Sequence, residues 1–195
     1  MEFFDVLKYR KSVRKFSDEK LSQDEITVLL TAGNSAPVGS NMYKDIHLTI
    51  VQDRAVLDKL SEAAALRWQD KAKMKEIIGE MPGGGSAQPL YDPFYGAPAV
   101  IFVSHRKQNV QPGIEYANAS CVALAMHLAA TDLGLGSVLM WFALESMREI
   151  PALDHAGELR LPENYEPLIG LAAGHLVKPA DPRELSADKI TVNYL

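Results

Sequence analysis

Apolar residues recur at helical spacing in two stretches near the start of the chain. Phe3, Phe4 and Leu7 predict a short N-terminal helix. Ser22 and Glu25 form a capping box, in which a hydroxyl and a carboxylate three residues apart satisfy the free amides at a helix start. A second helix is therefore predicted to begin after Ser22. The apolar face of that helix comprises Ile26, Leu29 and Leu30.

Four apolar runs have the length and composition of β-strands. They cover residues 46–51, 97–104, 137–142 and 167–173. The second run is almost continuously apolar, which predicts a central strand buried on both faces. Predicted helices lie between these strands, and Asp53 is expected to cap one of them. We therefore predict a single domain over residues 1–195, built as an α/β or α+β sheet layered by helices.

The longest predicted helix, residues 116–133, is rich in alanine and apolar nearly all round. Such a helix is expected to be buried on most sides. Small side chains also let another backbone approach closely. The helix is therefore either the axis of the core or an interface between subunits.

Two segments lack a regular pattern. Residues 66–96 include the glycine-rich stretch Pro82–Ser86, which indicates either a mobile cover over a site or a plain surface excursion. The tail beyond Gly174 contains prolines and charges that oppose a helix. It is predicted to be an extended arm that lies along a surface, such as that of a second subunit.

Composition excludes several classes of function. Apolar residues make up 47% of the 195 residues, as in a globular fold, and the net charge of −5 argues against a nucleic-acid partner. The single cysteine, Cys121, excludes a disulfide within the chain and is expected to be a buried, inert thiol. Neither a signal-peptide layout nor a membrane-length apolar stretch is present, so we expect a cytoplasmic protein without a membrane partner.

Positive charge is concentrated in one short stretch of this acidic chain. Five of the 20 basic residues lie within the eight positions Lys8–Lys15. Two guanidinium groups and a hydroxyl, from Arg10, Arg14 and Ser12, can surround a small anion such as a phosphate. A solvated basic turn is the alternative reading of this cluster.

The usual signatures of side-chain catalysis are missing from the sequence. Neither glycine-rich phosphate-binding pattern occurs, and Gly134-Leu-Gly136 follows a predicted helix rather than a strand. The five histidines show no metal-binding spacing, and no nucleophile elbow is present. His127, on the long helix, is expected to be hydrogen-bonded in the interior. Anion binding without acid–base or nucleophilic machinery indicates a cofactor that brings its own reactivity.

Five motifs, in this order along the chain, resemble the nitroreductase family of FMN-dependent oxidoreductases. Arg10–Phe16 is similar to the family's Arg-x-Ser-x-Arg/Lys-x-Phe motif, and Ala36–Asn41 resembles its Ala-Pro-Ser-x-x-Asn loop. Tyr95–Pro98 and the apolar run after it resemble the family's central strand. Leu128–Ser137 resembles the signature Leu-x-Ala-x-x-x-Gly-Leu-Gly-Ser. Arg183 occupies the place of a late phosphate-binding cation.

The resemblance implies a fold and an assembly. The fold would be α+β, a three-layer α/β/α sandwich around a mixed, mainly antiparallel sheet. An extended C-terminal arm would be exchanged with the partner subunit of a homodimer, and two FMN sites would lie at the subunit interface.

The resemblance also implies roles for individual residues. The FMN phosphate would be bound by Arg10, Lys11, Ser12 and Arg183. Arg14 would lie near the pyrimidine edge of the flavin, where negative charge develops on reduction. The partner subunit would contribute Pro37, Val38, Ser40 and Asn41. One face of the flavin would be lined by Leu139, Met140, Trp141 and Phe142.

The implied activity is electron transfer from NADH or NADPH, through FMN, to a small electron-poor acceptor such as a nitroaromatic or a quinone, with ping-pong kinetics. Two alternatives stay open. One is different flavin chemistry on the same scaffold, such as dehalogenation or flavin cleavage. The other is a non-catalytic flavin-binding or sensory protein, because Met42–Asp45 replaces the family's usual Gln-Pro-Trp continuation of the loop.

Overall fold

The computed structural model describes residues 1–68, 92–141, 144 and 155–195. Its helices and strands follow the chain in this order: α1 (Phe3–Tyr9), α2 (Gln23–Asn34), β1 (Ile46–Val51), α3 (Arg54–Trp68), β2 (Ala99–Arg106), α4 (Ile114–Asp132), β3 (Leu135–Met140), α5 (His155–Glu158) and β4 (Tyr165–His175). Two 3₁₀ turns, Gly39–Asn41 and Tyr43–Asp45, precede β1.

The four strands form one sheet in the order β1-β2-β4-β3, and each neighbouring pair is antiparallel. The first seven residues of β2 are buried, which confirms the prediction of a strand covered on both faces. A register shift between Val103 and Ser104 marks a bulge in its pairing with β4. Ser12 and Ser137 form an isolated parallel β-bridge outside these strand pairs.

Side chains of β2 alternate between two apolar cores. Ile101 and Val103 pack with residues of α2 and α4 on one face of the sheet. Val100 and Phe102 pack on the other face with Leu57 of α3 and with residues that precede β2 and follow β3. This alternation follows from the two-residue period of a strand. An α+β fold with an antiparallel sheet covered by helices is thereby confirmed.

Local signals located the starts of α2 and α3. Strands β2 and β3 are each displaced by two residues from their predicted ranges, because pairing with β4 sets their ends. The hydroxyl of Ser22 accepts a hydrogen bond from the Glu25 amide at 3.2 Å, and the Glu25 carboxylate accepts one from the Ser22 amide at 2.7 Å. The predicted capping box is therefore present. Asp53 likewise accepts a hydrogen bond from the amide of Ala55 at the start of α3. The last strand is longer than its apolar run because its pairing with β2 continues to Tyr165.

Two predictions fall outside the described residues, namely that for the glycine-rich stretch 82–86 and that for Phe142. Helix α4 is buried on most sides, as predicted, and one face, which includes Tyr116 and Leu124, is exposed in the single chain. The tail after β4 has no helix, as predicted. Within the described ranges, no helix is long and apolar enough to cross a membrane.

Candidate anion-binding site

The segment Arg10–Lys15, here called the basic turn, leaves α1 and runs beside the start of β3. The amide of Val13 donates a hydrogen bond to the carbonyl of Ser137 at 3.0 Å, and Ser12 bridges to the same strand residue. Gly136 permits this approach, because a Cβ atom there would lie only 2.7 Å from Cγ1 of Val13. The basic turn is therefore attached to the edge of the sheet.

Arg10 contacts a buried histidine of α4. Its guanidinium nitrogen lies 3.1 Å from Nε2 of His127, and Nδ1 of the same ring lies 2.6 Å from the hydroxyl of Ser137. Only 1% of the surface of His127 is exposed. Burial, together with the nearby Arg10 charge, lowers the pKa of His127 to about 4. The ring is therefore neutral at physiological pH.

The C-terminal tail places a second guanidinium, that of Arg183, at the end of α1. The backbone amide and Nε of Arg183 donate hydrogen bonds to the carbonyls of Lys8 and Leu7, at 2.9 and 3.1 Å. Burial, and then the charge of Arg183, lower the pKa of Arg10. Two guanidinium groups thus lie near the end of α1, close enough for the charge of Arg183 to lower the pKa of Arg10.

No carboxylate neutralises these charges within the part of the chain that the structure describes. Arg10, Arg14 and Arg183 all lack an ion pair there. Like charges that converge without a counter-charge favour a bound anion, and the planar guanidinium suits phosphate. The donor set therefore fits the phosphate end of a nucleotide-like cofactor.

A groove of about 520 Å³ lies between the basic turn and the first residues of the tail. Its lining includes the basic residues Lys11, Arg14, Lys15 and Lys178. The exposed guanidinium of Arg14 lies 5.7 Å from the ring centroid of Tyr95, within cation–π distance. Arg14 therefore has an aromatic neighbour, and its positive charge remains available to a ligand.

The predicted loop Ala36–Asn41 contacts the opposite end of α4. The amide of Gly39 donates a hydrogen bond to Oδ1 of Asn118 at 2.8 Å. The side-chain amide of Asn118 in turn faces Nε2 of His105 at 3.4 Å, and Nδ1 of that ring lies 2.8 Å from the carbonyl of Arg106. Ser40 has a left-handed backbone, with φ of 53°. Two buried polar side chains, those of Asn118 and His105, therefore connect this loop to the end of β2.

The end of β3 presents its side chains on alternate faces. Leu139 and Trp141 are 40% and 47% exposed, whereas Met140 is 4% exposed and packs in the core beside Gly170. The side chains of Leu139 and Trp141 can meet a ligand. The side chain of Met140 is buried, so this residue could meet a ligand only through its backbone.

No prediction for Asn118 came from the sequence, whereas the prediction that His127 is hydrogen-bonded in the interior is confirmed. Both are polar residues on the buried face of a helix otherwise rich in small apolar side chains. Buried polar groups require partners, and that requirement is a signal that each contacts something specific. The identity of those contacts, Gly39 and Arg10, could come only from the structure.

A comparison with protein families identifies the chain. The model of the nitroreductase family matches residues 7–175. The chain belongs to the nitroreductase family. The family predicted from the sequence is thereby confirmed. A curated relative is "FMN reductase [NAD(P)H]" of Bacillus subtilis (strain 168), which is 28% identical over 178 residues. That match covers 88% of this nitroreductase-family chain and 63% of the relative, so the chain spans less than two thirds of that relative's length.

Solved structures agree with the fold. A nitroreductase with bound FMN from Bacteroides fragilis NCTC 9343 has a TM-score of 0.77 and 24% identity, and covers 100% of both chains. A nitroreductase with bound FMN from Desulfitobacterium hafniense DCB-2 has a TM-score of 0.78 and 21% identity, and covers 100% of this chain and 99% of that one. At these identities, the similarity establishes that the fold is shared.

Proposed function

We propose that this nitroreductase-family protein is an oxidoreductase that binds FMN, takes electrons from NADH or NADPH, and passes them to a small electron-poor acceptor such as a nitroaromatic or a quinone. One observation carries the proposal: Arg10 and Arg183 both lie near the end of α1, and neither has an ion pair among the described residues. The names of the relatives, which mention FMN and NAD(P)H, support the same conclusion.

Each half of the cofactor has proposed contacts. The phosphate would be bound by Arg10, Lys11, Ser12 and Arg183. Arg14 would stabilise negative charge on the ring system. A partner subunit would contribute Pro37, Val38, Ser40 and Asn41 of its loop. The face of the ring would meet Leu139, Met140, Trp141 and Phe142, of which Phe142 lies outside the described residues.

The side chains bind and orient rather than react. When bound, FMN supplies the two-electron chemistry that the side chains lack. The exposed Leu139 and Trp141 offer an apolar surface on which a planar substrate can lie. Donor and acceptor would occupy that surface in turn, so we expect ping-pong kinetics. No side chain is required as a general acid, since solvent can deliver protons.

The proposed assembly is a homodimer of three-layer α/β/α subunits that exchange their C-terminal arms. Two features support it. Tyr116 and Leu124 expose apolar surface on α4, and Ile190 and Val192 do so on the tail. Exposed apolar patches of this kind mark interaction surfaces. Sedimentation equilibrium tests the assembly: twice the chain mass is expected, and a monomer at micromolar concentration would contradict it.

The visible absorption spectrum of the purified protein tests cofactor binding. We expect a yellow protein, or one that becomes yellow with added FMN. Arg10→Ala and Arg14→Ala should each weaken FMN binding, and loss of Arg10 should do so by about tenfold or more, because a hydrogen bond to a charged group is removed. Lys20→Ala, a change at an exposed cation outside the basic turn, is the matched control. Full retention of flavin by both arginine variants would contradict the proposal.

Stopped-flow mixing of the FMN-loaded protein with NADH or NADPH tests catalysis. Loss of the flavin absorbance, followed by its return when an acceptor is added, is the expected result. A bound flavin that neither nicotinamide reduces would instead indicate a binding or sensory protein. Product analysis with nitroaromatic, quinone and halogenated substrates distinguishes nitro or quinone reduction from other flavin chemistry.

A further inference from the structure

His127 is an ionisable side chain in an otherwise apolar environment, and both of its ring nitrogens have partners. It lies on α4 among small residues such as Ala123 and Ala130. Nδ1 lies 2.6 Å from the hydroxyl of Ser137, and Nε2 lies 3.1 Å from a guanidinium nitrogen of Arg10. An apolar side chain at this buried position could make neither contact. A specific role for the ring is therefore indicated.

The chemistry of the partners determines the tautomer. A guanidinium group donates hydrogen bonds and accepts none. Nε2 of His127 must therefore be the acceptor, so the ring proton is on Nδ1 and is donated to the hydroxyl of Ser137. The same Ser137 accepts a hydrogen bond from the amide of Val13 through its carbonyl. One residue of β3 thus fixes both the ring and the backbone of the basic turn.

We propose that His127 is a positioning residue, whose neutral imidazole holds the Arg10 guanidinium in the orientation that binds the phosphate group of FMN. This inference rests on the proposed function, because it assumes that Arg10 meets the FMN phosphate. His127 itself would not contact the flavin. It acts through Arg10, and Ser137 keeps its ring in the required tautomer.

A neutral acceptor suits this position better than the usual partner of an arginine. A carboxylate would orient Arg10 but would also neutralise it and compete with the phosphate for its donors. Imidazole accepts one hydrogen bond and leaves the full positive charge and the remaining donors available. The adjacent Arg183 charge adds to the field that a ligand meets. The low pKa of His127 keeps the ring neutral beside Arg10.

Two substitutions separate the ring's contacts. Glutamine can place its carbonyl oxygen near the position of Nε2, so His127→Gln retains the acceptor for Arg10. Asparagine can place its amide near Nδ1, so His127→Asn retains the contact to Ser137 and loses the acceptor. The dissociation constants of FMN and of riboflavin, which lacks the phosphate, are then measured by ultrafiltration. The proteins compared are the wild type and the two variants.

His127→Asn is expected to weaken FMN binding by about tenfold, the effect of losing a hydrogen bond to a charged group, and to leave riboflavin binding unchanged. His127→Gln should keep the wild-type preference for FMN. In an Arg10→Ala background, His127→Asn should have no further effect on FMN binding, because its effect passes through Arg10. A general disturbance of the fold would weaken both flavins equally and would add to the Arg10→Ala effect.

The outcomes distinguish this inference from the proposed function. If the wild-type protein binds FMN no better than riboflavin, both are wrong. If it prefers FMN and His127→Asn keeps that preference, only the role of His127 is wrong. Should both variants fail to fold, ¹⁵N NMR of the wild-type histidines decides: a proton on Nδ1 of His127 is expected, and a proton on Nε2 would overturn the inference.

Discussion

The basic turn and the Ala36–Asn41 loop lie at opposite ends of α4, and a buried polar residue of that helix contacts each. His127 contacts the turn through the side chain of Arg10, whereas Asn118 contacts the loop through the backbone amide of Gly39. The two residues are nine positions apart, about 14 Å along the helix axis. One rigid helix therefore sets the spacing of two otherwise irregular segments.

The two contacts differ in how they respond to conditions. The imidazole of His127 can take up a proton, and it would then lose its acceptor and repel Arg10. The amide of Asn118 does not titrate, and its contact joins two neutral groups. The contact between Arg10 and His127 is consequently one that acid can disturb, whereas the hydrogen bond between Gly39 and Asn118 joins two groups that do not titrate. The predictions below test that difference, from the largest expected effect to the smallest.

Acidification is expected to destabilise the protein through His127. Its pKa is about 4 in the folded state and near the ordinary 6.5 when unfolded. As pH falls from 6.5 towards 4, the unfolded chain takes up a proton that the folded chain does not, so the free energy of unfolding falls by up to about 3 kcal/mol. Besides burial, the charge of Arg10, which faces the imidazole of His127, contributes to the lowered pKa. Urea unfolding of the flavin-free protein at pH 7 and 4.5 measures this loss. His127→Gln should lose less, and an identical loss would contradict the assignment.

Gly136→Ala should damage the turn. The added Cβ would lie 2.7 Å from Cγ1 of Val13 and 2.9 Å from Cδ2 of Leu176, on two sides at once. Val13 is β-branched and cannot rotate away freely. We expect a loss of about 2 kcal/mol in the free energy of unfolding, as for overpacked cores, together with weaker FMN binding. Unchanged stability in urea would show that the turn can move away from β3 at little cost.

Asn118→Leu should damage the loop instead. It removes the acceptor of the Gly39 amide and the donor that faces His105. Leaving buried polar groups without partners costs about 2 kcal/mol. Because the loop is proposed to meet the ring rather than the phosphate, FMN and riboflavin binding should weaken by the same factor. A selective loss of FMN binding would show that the two halves of the site are not separate.

Gly39→Ala is expected to have the smallest effect. Its Cβ would lie 2.9 Å from Cδ1 of Ile114, the end of a flexible side chain that can change rotamer. We expect a loss of about 1 kcal/mol or less in unfolding free energy, clearly below that of Gly136→Ala. Equal losses for the two alanine variants would indicate that the loop is packed as tightly as the turn.

Local elements were predictable because their causes are local. The capping box at Ser22, the apolar run of β2 and the strand Ile46–Val51 depend on residues a few positions apart, and the structure confirms all three. The exposed face of α4 was not predictable in the same way. Helix α4 is apolar nearly all round, so periodicity could not show which side the sheet would leave uncovered.

The sequence by itself determined the family, the α+β elements and the local concentration of positive charge, because each depends on residue types in order along the chain. The tertiary structure alone decided what those charges meet. Arg10 and His127 are 117 residues apart, and Gly39 and Asn118 are 79 apart. Such contacts depend on the order of strands in the sheet and on where α4 packs against it, and no local pattern encodes either.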